Sequence, residues 1–210
     1  MPPQLQLALD GDLASSLAVL AQVHRWIDII EVGTPLIYRE GVHALQHIRA
    51  EFPAATLLAD LKIMDAGDEE ASIGFAAGAH IVTVLGVAAD ATVRGAVAAA
   101  QRHSGRVMAD MMQVRDVVSR GRELLALGVD ILCVHTAYDL QASGATPLAA
   151  LGALRSALPD GPLAAAGGIS LATLNPVLAL EPRIVIVGGA ITRASDPAAA
   201  AQAISERMRA

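Results

Sequence analysis

The sequence predicts an α/β protein with one domain, a (β/α)8 TIM barrel that occupies residues 1–210. Three observations predict it. Short apolar runs alternate with helix-patterned segments eight times, at a spacing of about 25 residues. The runs are continuously apolar, as in parallel strands covered on both faces, rather than alternating apolar with polar. No linker or low-complexity segment interrupts the series, so no domain boundary is visible. An open, doubly wound sheet of eight strands is the competing arrangement.

Each unit follows from local pattern. Residues 5–10 (LQLALD) form an apolar run ending in Asp10, and residues 13–23 then repeat apolar side chains at helical spacing. The next strand is 27–33 (IDIIEVG), with a loop through Thr34 and Pro35 and a helix near 40–51. TLLADLK at 56–62 precedes a helix over 68–77, and HIVTVLG at 80–86 precedes one over 90–103. RVMADMM at 106–112 leads to a helix over 114–127, which Gly128 stops. DILCVHT at 130–136 is followed by a turn-rich loop containing Ser143, Gly144 and Pro147, then a helix at 148–158. After PLAAAGG at 162–168, Pro176 makes the next helix short or kinked. RIVIVGG at 183–189 is the last strand. The final helix starts with Asp196 as N-cap and Pro197 at its first position.

Composition narrows the function. With 54% hydrophobic but only 2% aromatic residues, the core is aliphatic. A net charge of -6, no basic run and few rings to stack on bases argue against nucleic-acid binding. The single cysteine, Cys133, lies in an apolar run, which excludes an internal disulfide and fits a reducing cytoplasm. Residues 1–10 lack a charged, signal-like start, and no apolar window reaches the roughly 18 residues of a membrane span. A soluble, unprocessed cytoplasmic chain is expected.

Polar residues gather where the strands end. Asp10, Glu31, Asp60, Lys62, Asp110 and His135 all fall at or near C-terminal strand ends, the face on which such barrels carry their chemistry. Asp60 and Lys62 are two apart and share a side of their strand, while Asp65 follows on the loop. Four carboxylates in one mouth repel unless cations sit among them. Lys62 supplies one charge, and a Mg²⁺ ion held by Glu31 and Asp60 would supply two. Gly167 and Gly168, then Gly188 and Gly189, end the last two strands. Glycines there let backbone N–H groups approach an anion, so a phosphorylated substrate is expected. His135 is the candidate base for taking a proton from carbon next to a carbonyl. His24, His43, His47, His80 and His103 read as surface or structural, Cys133 as a small buried hydrophobe, and Trp26, Met111 and Met112 as packing residues. Arg193, beyond the glycines, reads equally as a helper of that anion cradle or as a solvated loop charge, and is not counted among the site residues.

These stretches carry a resemblance. D-L-K-I-M-D at 60–65, I-D-I-I-E-V-G-T-P-L-I at 27–37, V-T-V-L-G at 82–86, V-H-T-A-Y-D at 134–139 and A-A-G-G-I at 165–169 resemble the orotidine 5′-monophosphate decarboxylase suite of barrels, in its sugar-phosphate branch of 3-hexulose-6-phosphate synthases and 3-keto-L-gulonate-6-phosphate decarboxylases. The likeness runs nearly end to end, and D-x-K-x-x-D at Asp60, Lys62 and Asp65 is its most specific motif. Where the decarboxylases carry Glu, Arg, Thr and Arg, this chain has Asp110, Tyr138, Ala166 and Ala190, the pattern of the synthases.

The resemblance implies a Mg²⁺-dependent aldolase that adds formaldehyde to D-ribulose 5-phosphate through a 1,2-enediolate, giving D-arabino-hex-3-ulose 6-phosphate. By similarity, Glu31 and Asp60 hold the metal, and His135 removes the C1 proton. Lys62 neutralises oxyanion charge, Asp10 and Asp110 orient hydroxyls or shuttle protons, and the four glycines bind phosphate. Asp65 crosses into a neighbouring subunit's site, which implies a homodimer. The alternatives are the decarboxylase and a non-catalytic phosphosugar-binding barrel, the latter disfavoured because a binder needs the glycines but no base.

Overall fold

Eight parallel strands pair in sequence order, and the last closes on the first to complete the barrel. The computed structural model describes residues 2–210. The elements run β1 (Gln4–Leu9), α1 (Leu13–Val23), a 3-10 turn (His24–Trp26), β2 (Ile29–Val32), α2 (Thr34–Glu40), α3 (His43–Glu51), β3 (Thr56–Ile63), α4 (Gly67–Ala76), β4 (Ile81–Leu85) and α5 (Asp90–Arg102). They continue with β5 (Arg106–Asp110), α6 (Val117–Ala126), β6 (Ile131–His135), α7 (Tyr138–Gln141), α8 (Leu148–Ala157), β7 (Leu163–Ala166), α9 (Leu174–Leu178), β8 (Ile184–Val187), α10 (Gly189–Thr192) and α11 (Pro197–Arg209). The open sheet is thereby excluded.

Strand parity divides the core in two. Outward residues such as Leu7, Ile30, Leu57, Val82, Val107 and Leu132 are fully or almost fully buried beneath the ring of helices. Inward residues form a second, smaller cluster that includes Ile29, Leu58, Ile81, Met108, Ile131 and Ile184. Further along the same inward rows come Glu31, Asp60, Thr83, Asp110 and His135, which line the cavity at the C-terminal mouth. Side chains two apart on a strand share a face, so the inward rows begin apolar and finish polar. At roughly 25 cal/mol per Å² of apolar surface, the two aliphatic clusters supply the driving force that holds these polar ends in place.

The segment after β2 differs from the sequence expectation. Thr34 and Pro35 do not form a loop; they open α2, with Pro35 in the first turn, where its missing N–H costs no helical bond. Gly41, with φ +64°, ends that helix, and the helix expected near 40–51 is α3, so α2 is an additional helix where a loop was expected. The helix expected from 114 starts at Val117, capped by Asp116, whose carboxylate accepts from Ser119 N at 3.0 Å. Asp196 caps α11 through Ala199 N at 2.9 Å, with Pro197 following it as expected. Among the described residues, no helix is long and apolar enough to cross a membrane.

Candidate active site

A cavity of about 970 Å³ opens at the C-terminal mouth, lined by Asp10, Glu31, Asp60, Lys62, Asp110 and His135. All four predicted glycines, Gly167, Gly168, Gly188 and Gly189, line it as well. Of the predicted site residues, only Asp65 lies outside its walls. Its exposed carboxylate accepts from its neighbour Ala66 N at 2.8 Å.

Asp60 is buried and held from three sides. Its Oδ1 accepts from Thr83 Oγ1 at 2.9 Å, and its Oδ2 accepts from Thr34 Oγ1 at 2.8 Å and from the Lys62 ammonium. Thr83 Oγ1 in turn accepts from Lys62 N at 2.9 Å. Lys62 is itself unusual, with φ +47° in a strand whose pairing to β4 shifts between Ala59 and Ile63. A left-handed, non-glycine residue costs on the order of 1–3 kcal/mol and persists only where its surroundings over-determine it. Here the Thr83 bond fixes the backbone, and two carboxylates fix the ammonium. The irregularity aims Lys62 Nζ between Asp60 and Asp110, 3.5 Å from Asp110 Oδ2. Burial alone would depress the Lys62 ammonium, but the charges of Asp60 and Asp110 outweigh it and hold its pKa above the usual range.

Asp110 joins the lysine to the histidine. Its Oδ2 lies 2.8 Å from His135 Nδ1, and its Oδ1 accepts from Met112 N at 2.9 Å. Burial raises the Asp110 carboxyl, yet the bond and charge from His135, with Lys62, bring it below its ordinary value. His135 is the mirror case: burial lowers its pKa, and Asp110 more than reverses this, leaving it raised. With Nδ1 donating to a carboxylate, Nε2 is the lone-pair nitrogen of the neutral ring and the atom available to take a proton.

Glu31 has the largest carboxyl shift. Buried, and next to Asp60, it is pushed up to about 8. Its Oε2 accepts from Gln6 Nε2 at 2.6 Å, while Gln6 Oε1 is a buried acceptor with no partner. Asp10 stands at the mouth, also raised, first by burial among the cavity walls and then by Asp60. The glycine wall is tightly built. Gly167 has φ +96°, and a Cβ there would come within 2.3 Å of Thr136 O, so only glycine fits.

A cation fits the acidic side of this mouth. An unsatisfied buried acceptor, and a carboxyl driven to about 8 by burial and a neighbouring carboxylate, are both relieved by positive charge. Glu31 has a free oxygen, and Asp60 Oδ1 accepts only from Thr83. Among the described residues no group of three or more His, Cys, Asp or Glu side chains is disposed to hold a metal. Mg²⁺ is usually held by one or two carboxylates completed by water and substrate oxygens rather than by an all-protein cage.

Comparison with known proteins places the chain in a family. The model of the orotidine 5′-phosphate decarboxylase / HUMPS family matches residues 3–204. The chain belongs to this family. Within the family it is 44% identical to the 3-hexulose-6-phosphate synthase of Bacillus subtilis (strain 168), over 204 residues that cover 97% of each chain. The crystal structure of 3-hexulose-6-phosphate synthase from Salmonella typhimurium superposes with a TM-score of 0.96 at 42% identity, covering 98% of both chains. A crystal structure of KGPDC from Streptococcus mutans superposes with a TM-score of 0.92 at 26% identity, covering 99% of this chain and 97% of that one. Identity within the family thus favours the synthases.

Several contributors to the site escaped the sequence reading. Gln6, Thr34 and Thr83 hold the carboxylates, and Arg193, equally readable in sequence as a helper of the glycines or a solvated charge, lines the glycine side of the cavity. A signal existed for two of them. Gln6 and Thr83 are polar residues inside strands otherwise built of Leu, Val and Ile, and a buried polar side chain needs a partner.

Proposed function

We propose that this chain catalyses the reversible aldol addition of formaldehyde to D-ribulose 5-phosphate, giving D-arabino-hex-3-ulose 6-phosphate. One observation carries the reading: a histidine whose Nδ1 is tied to Asp110 faces the Lys62–Asp60–Glu31 cluster across a single cavity with a glycine wall. A base, a charge sink and an anion cradle within one mouth are what enolisation of a phosphorylated ketose requires.

His135 Nε2 takes the proton from C1 of the ketose, and the C1–H electron pair moves into the C1–C2 bond as the C2 carbonyl becomes an oxyanion. Lys62 supplies positive charge to that oxyanion and to the neighbouring hydroxyl. C1 then attacks formaldehyde, the C2 ketone re-forms as C3 of the product, and the new alkoxide takes the proton back from His135. Asp110 keeps the imidazole in the productive tautomer, and Asp10 stands where it can orient a substrate hydroxyl. Mg²⁺ held by Glu31 and Asp60 would supply electrophilic stabilisation to the negative charge that develops on the sugar.

The synthase reading is favoured over the decarboxylase by identity, 42–44% against 26%, and by Asp110 and Ala166 at the ends of β5 and β7. The chain is further proposed to act in the cytoplasm as a homodimer, with Asp65 delivered to the partner's cavity. The deciding experiment measures formaldehyde consumption with D-ribulose 5-phosphate, with and without Mg²⁺, beside carbon dioxide release from 3-keto-L-gulonate 6-phosphate. Carbon dioxide release without formaldehyde consumption would replace the synthase reading by the decarboxylase one.

A further inference from the structure

Three side chains that are cationic at neutral pH line the cavity: Arg39, Lys62 and Arg193. Two are tethered. Arg39 Nη1 donates to the backbone oxygens of Asp10 at 2.8 Å and Pro35 at 3.2 Å, tying α2 to the end of β1. Lys62 is held by Asp60 and Asp110. The Arg193 guanidinium forms no hydrogen bond and no ion pair with any described residue. Its aromatic neighbour is Tyr138, whose ring centroid lies 5.9 Å from Cζ, within cation–π range.

Where that guanidinium lies is specific. A Cβ added at Gly189 would fall 2.2 Å from Arg193 Nη2 and 2.8 Å from Nε, so the group is folded over Gly189 and fills the space a side chain there would take. Arg193 is four residues beyond Gly189, and on a helical turn such residues share a face. The absence of a side chain at one position and the placement of the cation at the other are thus one feature. Gly168 and Gly188 belong to the same wall.

A free arginine on this wall answers an electrostatic problem. Asp10, Glu31, Asp60 and Asp110 face the cavity, Lys62 is ion-paired and Arg39 is tethered to backbone oxygens, so a phosphate monoester entering as a dianion finds acidic groups and one untethered cation, Arg193. Glycine backbone offers only partial charges. A guanidinium offers a full charge and a planar fork that matches two phosphate oxygens.

We infer that Arg193 is the charged ligand of the substrate's phosphate, clamping a phosphate monoester against the backbone of Gly168, Gly188 and Gly189. It thereby sets which end of the sugar meets His135. The inference rests on the proposed phosphorylated ketose substrate and goes beyond it by assigning the phosphate's specificity to one side chain.

The test pairs direct binding with kinetics, using Arg193→Ala and Arg193→Lys in the full chain, with thermal melts confirming that both fold. Inorganic phosphate is the binding probe, titrated calorimetrically. Losing a charged hydrogen bond predicts that Arg193→Ala weakens phosphate binding and raises KM for D-ribulose 5-phosphate by about ten- to a hundredfold. The effect on kcat should be much smaller. Arg193→Lys, which keeps charge but loses the fork, should recover part of both losses. Wild-type phosphate affinity and KM in Arg193→Ala would overturn the assignment. If the wild type binds phosphate through Arg193 but consumes no formaldehyde, the proposed reaction fails while the assignment stands.

Discussion

Asp110 Oδ2 lies 2.8 Å from His135 Nδ1, while the other Asp110 oxygen is fixed by the backbone N–H of Met112. A carboxylate locked on one side and bonded to imidazole on the other sets both the tautomer and the orientation of the ring. Asp110 therefore acts through His135 as a positioning residue. His135→Ala should abolish exchange of the C1 proton of D-ribulose 5-phosphate with solvent, a loss on the order of 10²- to 10⁴-fold, while phosphate binding persists. Exchange at the wild-type rate would remove His135 from the mechanism.

The same pair fixes a pH dependence. Asp110 favours the imidazolium and raises the His135 pKa above 6.5, whereas the base must be neutral to act. The acid limb of kcat/KM should therefore lie above that value, with activity growing as pH rises through it. Asp110→Asn removes the stabilising charge, so its acid limb should move to lower pH even as kcat falls. A limb that stays in place would show that another group controls it.

Lys62 is the cation between two buried carboxylates. Lys62→Met leaves Asp60 and Asp110 without it, and breaking a buried pair on one side costs on the order of 3–5 kcal/mol. Because Lys62 is about one-fifth exposed, the lower end is expected. The loss should shrink as pH falls and the carboxylates protonate. Urea unfolding of wild type and variant at several pH values measures it; a gap that does not narrow in acid would refute the electrostatic account.

At the opposite end of the barrel, His80 Nδ1 accepts from Leu57 N at 3.0 Å and sits 2.9 Å from Arg49 Nη2, which fixes a neutral ring protonated on Nε2. Its pKa is lowered, first by burial and then by the charges of Arg49 and Arg106. The depressed value sets the sign. The contribution is complete above the unfolded pKa near 6.5 and is lost as pH falls through the lower folded value. His80→Ala should cost about 1 kcal/mol at neutral pH and flatten stability below pH ~6.5 relative to wild type. Parallel curves for the two proteins would deny His80 this role.

Legibility followed burial. The eight strands were readable because strands covered on both faces must be apolar throughout, and their polar ends announced the mouth. α2 was hidden because Pro35, usually a breaker, sits in a first turn where it favours the helix. α7 lay inside a loop rich in turn formers, with too few residues for any period. The titratable cluster was visible by residue type, but its wiring was not. That Asp110 reaches both Lys62 and His135 depends on the shift in β3 pairing and on a left-handed lysine, neither of which leaves a mark in local sequence. Arg193 reads in sequence equally as a helper of the glycines and as a solvated loop charge, because what separates the two is the empty volume at Gly189.

Asp65 gives the last prediction. It belongs to the D-x-K-x-x-D motif, yet it is exposed and does not line its own cavity; its carboxylate accepts from Ala66 N, beside exposed Met64. A motif carboxylate outside its own site, next to exposed apolar surface, fits delivery to a second copy of the chain. Asp65→Asn and His135→Ala homodimers should each be nearly inactive. If sites are shared, mixing the two variants under conditions that exchange subunits places an intact His135 opposite an intact Asp65 in one cavity of each hybrid, and activity should reappear. Sites built within single subunits contain both residues or fail alone, so a mixture no more active than its parts, despite subunit exchange confirmed by native mass spectrometry, would assign Asp65 to its own chain.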